Sequence, residues 1–397
     1  MDESWRDLDI FAPTPEHALV AQTVREFAEG EVEPQALEHD RAERFNHALF
    51  RKAGELGLLG VTIPEAYGGA GLDASAAVIV CEGLSRSDPG FALSLMAHAI
   101  LFAHNLSVNG SEEQKQRILP RAVSGEWIGG LCMTEPEVGT DVLSLRTTAK
   151  RDGEEWILDG TKTFITNGGI DEQTVGDVFL VYAATGEREI STFLVEKGMA
   201  GFRLGQKWTD KLGMRASFTA ELVFDGVRVP EANRVGELGD GTTQMMRNLE
   251  VERLSIAAMG IGIAERCLQV MVDYANQRKT FGRPIRDYGQ IQRYIAETFA
   301  EWKAARSFVY DTARRIRLGA VGQRVDADAT KLFAAQMGKR AADAAIQVLG
   351  GYGYMGEYVV ERLWRDAKLL EIGGGTLEAH HKNLSKDLCR DPGLVRT

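Results

Sequence analysis

Cysteine is scarce in this chain. There are four in 397 residues, Cys81, Cys132, Cys267 and Cys389, far apart and with no CxxC pair. That spacing argues against a disulfide scaffold or a thiolate zinc site and fits a reducing, cytoplasmic setting. A surplus of positive charge is also missing: 46 Lys and Arg stand against 57 Asp and Glu, for a net charge of −11. Nucleic acid is therefore not an expected partner, because neutralising phosphates needs a basic face. A local Arg cluster gripping a phosphorylated small molecule remains compatible. The start, Met1-Asp2-Glu3-Ser4-Trp5-Arg6-Asp7, is acidic and lacks the order of a signal or transit segment. The most apolar stretch, 91–106, contains Ser94, His98, His104 and Asn105 and is short for a bilayer span, so no membrane partner is expected. There is no GxGxxG opening a helix after a strand, no GxxxxGK[ST], no HExxH and no GxSxG. No metal site is expected.

What remains is the composition of a fully folded protein, 44% hydrophobic and 26% charged without low-complexity tracts. At about 150 residues per domain the length suggests two or three domains. The texture gives three. Residues 1–125 read as helical: Thr14-Pro15-Glu16 is a cap followed by proline at the first helical position, and further helices are expected over 46–58, 74–87 and 92–109. Gly110-Ser111-Glu112-Glu113 ends one helix and caps the next. Residues 126–240 read as a small β sandwich or barrel, with short strands at 155–158, 178–182, 191–195 and 221–224. The turns between them are expected at Asp152-Gly153, Asp159-Gly160, Asn167-Gly168-Gly169 and Asp225-Gly226. Residues 241–397 return to the helical period, with long stretches at 243–278, 290–318 and 326–348 that suit an antiparallel four-helix bundle. The expected class is α+β.

The candidate chemistry lies in glycine-rich loops at the seams. Thr134-Glu135-Pro136-Glu137-Val138-Gly139-Thr140-Asp141 offers hydroxyls beside exposed amides and can hydrogen-bond a heterocycle or a phosphate, or serve as a plain interdomain loop. Phe164-Ile165-Thr166-Asn167-Gly168-Gly169 is either a hairpin turn or an aromatic-and-hydroxyl platform. Gly350-Gly351-Tyr352-Gly353 reads as a glycine C-cap. Gly373-Gly374-Gly375 before Thr376 allows close backbone approach to a ligand. Glu250 and Glu252 project about 160° apart on a helix and cannot both reach one reacting atom; near a helix start, acids also suit the dipole. The adjacent pair His380-His381 reads as solvated surface.

In this order the segments resemble the acyl-CoA dehydrogenase family over nearly the whole chain. The resemblance is carried by Gly110-Ser111-Glu112-Glu113-Gln114-Lys115, Met133-Thr134-Glu135-Pro136 with Gly139-Thr140-Asp141, and Gly160-Thr161-Lys162-Thr163-Phe164-Ile165-Thr166-Asn167. It continues through Lys211-Leu212-Gly213-Met214-Arg215, Arg278-Lys279-Thr280-Phe281-Gly282, Gln347-Val348-Leu349-Gly350-Gly351 and Arg365-Asp366-Ala367. It implies the α–β–α architecture, a homotetramer and a bound FAD. Met133, Thr134, Gly139, Thr140, Phe164, Ile165 and Thr166 would meet the flavin or the thioester, with Thr376 and Glu378 completing that site. Arg278, Phe281, Gln347, Gly350 and Gly351 would hold the diphosphate and adenosine across a subunit contact. The implied reaction is α,β-desaturation of an acyl-CoA, a carboxylate taking the α-proton while a hydride passes to the flavin, with an electron-transfer flavoprotein as acceptor.

Many members carry the base in the loop where this chain has Gly374, whereas isovaleryl-type members carry it directly before an Arg on the first bundle helix. Here that residue is Glu252, before Arg253. By the same resemblance Thr140, Glu250 and Arg253 would contact substrate. Other departures are Phe164 in place of a frequent Trp, and Gly289, followed by Gln290, in place of a Gln near the dinucleotide. The reading is thus an isovaleryl-like enzyme for short or branched acyl-CoA. Alternatives are a same-fold enoyl-CoA reductase, an oxidase, an enzyme acting on carrier-protein thioesters, or a flavin-free partner-binding protein. Phe91, Leu95, Met245, Met246 and Leu249 are candidates for the acyl pocket or for plain core.

Overall fold

A computed structural model describes residues 9–395, and the acidic start at 1–7 lies outside them. The N-terminal part is helical, and its sequence supplies side-chain caps where most of its helices begin. Thr14 caps α1 (Pro15–Phe27), which a wide π turn (Ala28–Val32) joins to α2 (Glu33–Ala42). Asn46 caps α3 (His47–Glu55), Asp73 caps α4 (Ala74–Ser85), and Asp88 caps α5 (Pro89–Met96) with proline in the first turn. A second π segment (Ala97–His104) carries α5 into α6 (Asn105–Asn109), so this helical stretch starts earlier than its apolar pattern suggests. It spans Pro89–Asn109, long and apolar enough to cross a bilayer, and most of it is buried inside the protein. Ser111 and Gln114 then form a reciprocal capping box on α7 (Glu112–Val123).

The middle of the chain is one eight-stranded mixed sheet: β1 (Gly129–Cys132), β2 (Thr148–Asp152), β3 (Glu155–Thr166), β4 (Val178–Gly186), β5 (Glu189–Glu196), β6 (Phe202–Lys207), β7 (Thr219–Pro230) and β8 (Arg234–Val235). The order is β6-β7-β3-β2-β4-β5-β8, and β1 lies parallel to β4. The sheet curls over its own core. Phe202 on the edge strand β6 meets Phe179 of β4 at 5.6 Å between ring centroids, although three strands separate β6 from β4 in the order. Two expected turns are absent. β3 runs straight through Asp159-Gly160 and β7 through Asp225-Gly226, since a bulge between Leu158 and Gly160 absorbs the irregularity without breaking the ladder. β4 is buried on both faces. Phe179 and Val181 point into the sheet core, whereas Val178, Leu180 and Tyr182 point towards the helices.

The C-terminal part holds α8 (Gly241–Gln277), a small ribbon of β9 (Lys279–Thr280) and β10 (Arg283–Pro284), then α9 (Gly289–Arg315), α10 (Arg324–Leu349), α11 (Val360–Leu370) and α12 (Leu377–Arg390). α8 is buried almost all round between 248 and 264 and packs on α4, α9, α10 and α11. α8 and α10 run parallel and touch backbone to backbone: a β-carbon on Gly338 would lie 2.8 Å from the Gly260 oxygen, so that crossing admits only glycine. One apolar core joins the N-terminal helices to this bundle, with Phe91 and Leu95 inside it.

Candidate active site at the seam of sheet and bundle

The opening turns of α8 press against β4 and the end of β1, where Met245 and Leu249 meet Tyr182, with Met133 and Met246 at the margin. Glu252 follows one turn later. It is 7% exposed, and its Oε2 has no hydrogen-bond partner among the described residues. Burial pushes its pKa up to about 7, against the opposing pull of Arg253 and Lys331. Glu250 points elsewhere, as the helical angle requires, and accepts from the Gln323 amide at 3.2 Å; burial raises its pKa too.

The triple-glycine loop lies against Glu252. Gly374 (φ 65°) and Gly375 (φ 98°) are left-handed, a conformation that side chains resist. A β-carbon on Gly374 would stand 3.7 Å from the Glu252 carboxylate and 2.5 Å from Ile256 Cδ1. The close approach expected of these glycines is therefore to protein. Thr376 caps α12 by accepting from the Ala379 amide at 3.2 Å, and Glu378 faces outwards in the first turn.

Across the seam, the loop after β1 is pinned by a buried ion pair. Glu135 accepts from the Arg146 and Thr147 amides at 2.6 and 2.9 Å and from Lys162 Nζ at 2.8 Å, and Lys162 reaches back to the Met133 oxygen at 3.2 Å. Met133 and Thr134 stay half-buried beside it, with Gly139 and Thr140 exposed. Near the end of β3, an irregularity between Lys162 and Ile165 turns Phe164 out of the ladder at φ 57°, 62% exposed, its ring 5.3 Å from Trp208. Ile165 is core and Thr166 half-buried. The loop before β7 docks on α11, Met214 N donating to Asp366 Oδ1 at 2.5 Å, and burial raises the Asp366 pKa to about 7.

Arg278, Phe281, Gln347, Gly350 and Gly351 are exposed together at the far end of the bundle. Arg278 lies over the Tyr352 ring at 5.9 Å, and Phe281 is 94% exposed. At 1.5 Å per residue, this end of α8 is roughly 39 Å from Glu252. Both groups of residues suit a flavin dinucleotide. Each presents a bare aromatic face, and β-carbons built on Gly139, Gly350 and Gly351 would meet nothing within 4 Å, leaving their amides approachable.

Among the buried groups that carry no assignment from sequence are Lys162, Asp328, Lys331 and His380. His380 is fully buried, not solvated, because α12 turns that face onto α10; His381 alone is exposed. Asp328 and Lys331 sit one turn apart on a face of α10 that is otherwise apolar. That isolation of charge was the available signal.

Models of the N-terminal, middle and C-terminal domains of acyl-CoA dehydrogenase match residues 14–126, 130–227 and 239–389. A mitochondrial isovaleryl-CoA dehydrogenase of Solanum tuberosum is 39% identical over 376 residues, 93% of this chain and 90% of the relative. Among solved structures, a chain described as electron transferring flavoprotein of Acidaminococcus fermentans superposes with a TM-score of 0.91 at 36% identity, covering 95% of this chain and 99% of that one. A glutaryl-CoA dehydrogenase of Mycobacterium smegmatis in complex with FADH2 gives 0.88 at 30% identity, over 98% and 95%. The fold and seam define a flavin-dependent oxidoreductase acting on acyl-CoA. The chain belongs to the acyl-CoA dehydrogenase family.

Proposed function

We propose that this enzyme desaturates a short or branched acyl-CoA between its α and β carbons, with Glu252 as the base that removes the α-proton. One observation carries the assignment: a buried carboxylate with an unpartnered oxygen, its pKa raised to about 7, beside a loop glycine that cannot supply a base. A base poised near neutrality is well matched to proton abstraction, whereas a solvated Glu is too weak. Bound FAD supplies the hydride acceptor. The chain supplies the rest: the seam excludes water from Glu252, Met133, Thr134, Phe164 and Thr166 shape the flavin side, and Glu250 is the acid nearest the thioester arm.

The branched-chain preference rests on the Solanum relative and on the pairing of Glu252 with Gly374. An electron-transfer flavoprotein is the proposed acceptor and a homotetramer the proposed assembly. The roughly 39 Å of helix between Glu252 and Arg278 supports at least two chains per site. The unpaired cysteines support a cytoplasmic setting. The test is Glu252→Gln: the purified variant keeps its FAD while turnover on isovaleryl-type substrates falls by orders of magnitude, and intact turnover overturns the assignment.

A further inference from the structure

We propose that Asp328 and His380 are positioning residues for Glu252, tying its neighbour Arg253 and the triple-glycine loop into one buried lattice. The inference rests on Glu252 being the base. A free guanidinium beside that carboxylate would hold it ionised. Arg253 is instead drawn away: its Nη1 lies 2.8 Å from Asp328 Oδ1, both groups almost fully buried. Asp328 Oδ2 accepts from Asn383 Nδ2 at 3.1 Å, and His380 Nδ1 stands 3.1 Å from Oδ1, a close contact without hydrogen-bond alignment.

The far side of the imidazole meets the loop. His380 Nε2 lies 3.0 Å from the Gly375 oxygen, and since a carbonyl only accepts, that nitrogen carries a hydrogen. Lys331 Nζ donates to the same oxygen at 2.5 Å, and Arg253 Nε makes a longer bond to the Gly374 oxygen at 3.4 Å. Donors from α8, α10 and α12 thus converge on two consecutive carbonyls of the loop that backs Glu252. Apolar packing would hold three helices together at lower cost than so many buried charges, so a lattice at this spot needs a reason beyond cohesion. The reason the geometry offers is twofold. Asp328 occupies the Arg253 charge, and His380 fixes the loop so that Gly374 backs the carboxylate without intruding on it.

The charged and titratable groups around Glu252 are Arg253 on its own helix, Asp328 and Lys331 on α10, Tyr182 on β4, and, near Lys331 or across the loop, Glu371 after α11 and His380 on α12. With Asp328→Asn in the FAD-loaded enzyme, Arg253 turns its charge on Glu252. The acid limb of the kcat profile moves down by about one pH unit, while KM and FAD content stay within about twofold. His380→Phe lowers kcat about tenfold and His380→Gln, which keeps an N–H for the Gly375 oxygen, restores most of it. An unmoved acid limb in an active Asp328→Asn enzyme overturns the proposal. So does a loss in His380→Phe that merely follows lost FAD, or that His380→Gln fails to restore. If Asp328→Asn does not fold, the His380 pair decides alone. Glu252→Gln run alongside separates the two ideas: if that variant stays active, the base assignment fails, whereas an inactive one beside an unmoved limb removes only the lattice.

Discussion

The carboxylate of Glu252 and the α-carbon of Gly374, on segments far apart in the chain, face the same point: a β-carbon on the glycine would be 3.7 Å from the acid's carboxylate carbon. A carboxylate can be delivered to that point from the helix or from the loop, and this chain delivers it from the helix. The vacancy in the loop is also enforced, because Ile256 Cδ1 would stand 2.5 Å from the same β-carbon.

Gly374→Ala tests that enforcement. The left-handed backbone and the contact with Ile256 together destabilise the protein by about 1–2 kcal/mol and displace Glu252. Tm and kcat both fall, and adding Ile256→Val recovers part of the Tm. An alanine variant with unchanged Tm would show that the loop is softer than its geometry.

The raised pKa of Glu252 makes two opposite demands on pH. In its proposed role activity needs the carboxylate, so kcat is expected to fall as pH drops through about 7. Stability needs the acid form: with a folded pKa above the unfolded 4.5, the stabilising contribution is complete below 4.5 and is lost as pH rises to about 7. Glu252→Gln therefore raises Tm by a few degrees at pH 8, and the gain disappears near pH 4. Thermal scans at both pH values check the sign.

Lys162 and Glu135 predict a non-additive pair. Lys162→Met alone strands a buried carboxylate and costs about 3–5 kcal/mol. With Glu135→Gln added, the stranded charge is gone and one of the Arg146 and Thr147 amides keeps an acceptor oxygen while the other loses its own, so the double variant recovers part of the loss. Denaturant unfolding ranks them, and FAD dissociation is fastest in the single variant, whose loop after β1 is loosest.

At the far end of the bundle, Phe281→Asp places a charge on an aromatic that is bare in one chain. The expected outcome is a smaller assembly by sedimentation together with weaker FAD binding. A variant that keeps its size but loses FAD assigns Phe281 to the cofactor alone.

The long helices were legible because an apolar face ran unbroken from start to finish; α8, expected over 243–278, occupies Gly241–Gln277. The twelve-residue strands β3 and β7 were not, because Asp159-Gly160 and Asp225-Gly226 have turn chemistry, while extended neighbours on both sides hold them in the ladder. Glu252 was singled out only through the family resemblance, by the Arg253 that follows it and by what Gly374 lacks; its burial left no local mark. His380 was missed: beside His381 on a polar helix, nothing local marks the one histidine that α10 covers. Lattices made of single residues from three helices leave no local pattern to read.

In the assembly proposed above, each chain would carry one half of two different cofactor berths, the flavin half near Glu252 and the other half at Arg278 and Phe281. Two defective chains can consequently heal each other. Co-refolding a Glu252→Gln chain with an Arg278→Ala chain yields some berths in which the intact acid of one faces the intact arginine of its neighbour, and activity reappears in a mixture whose separate ingredients have none.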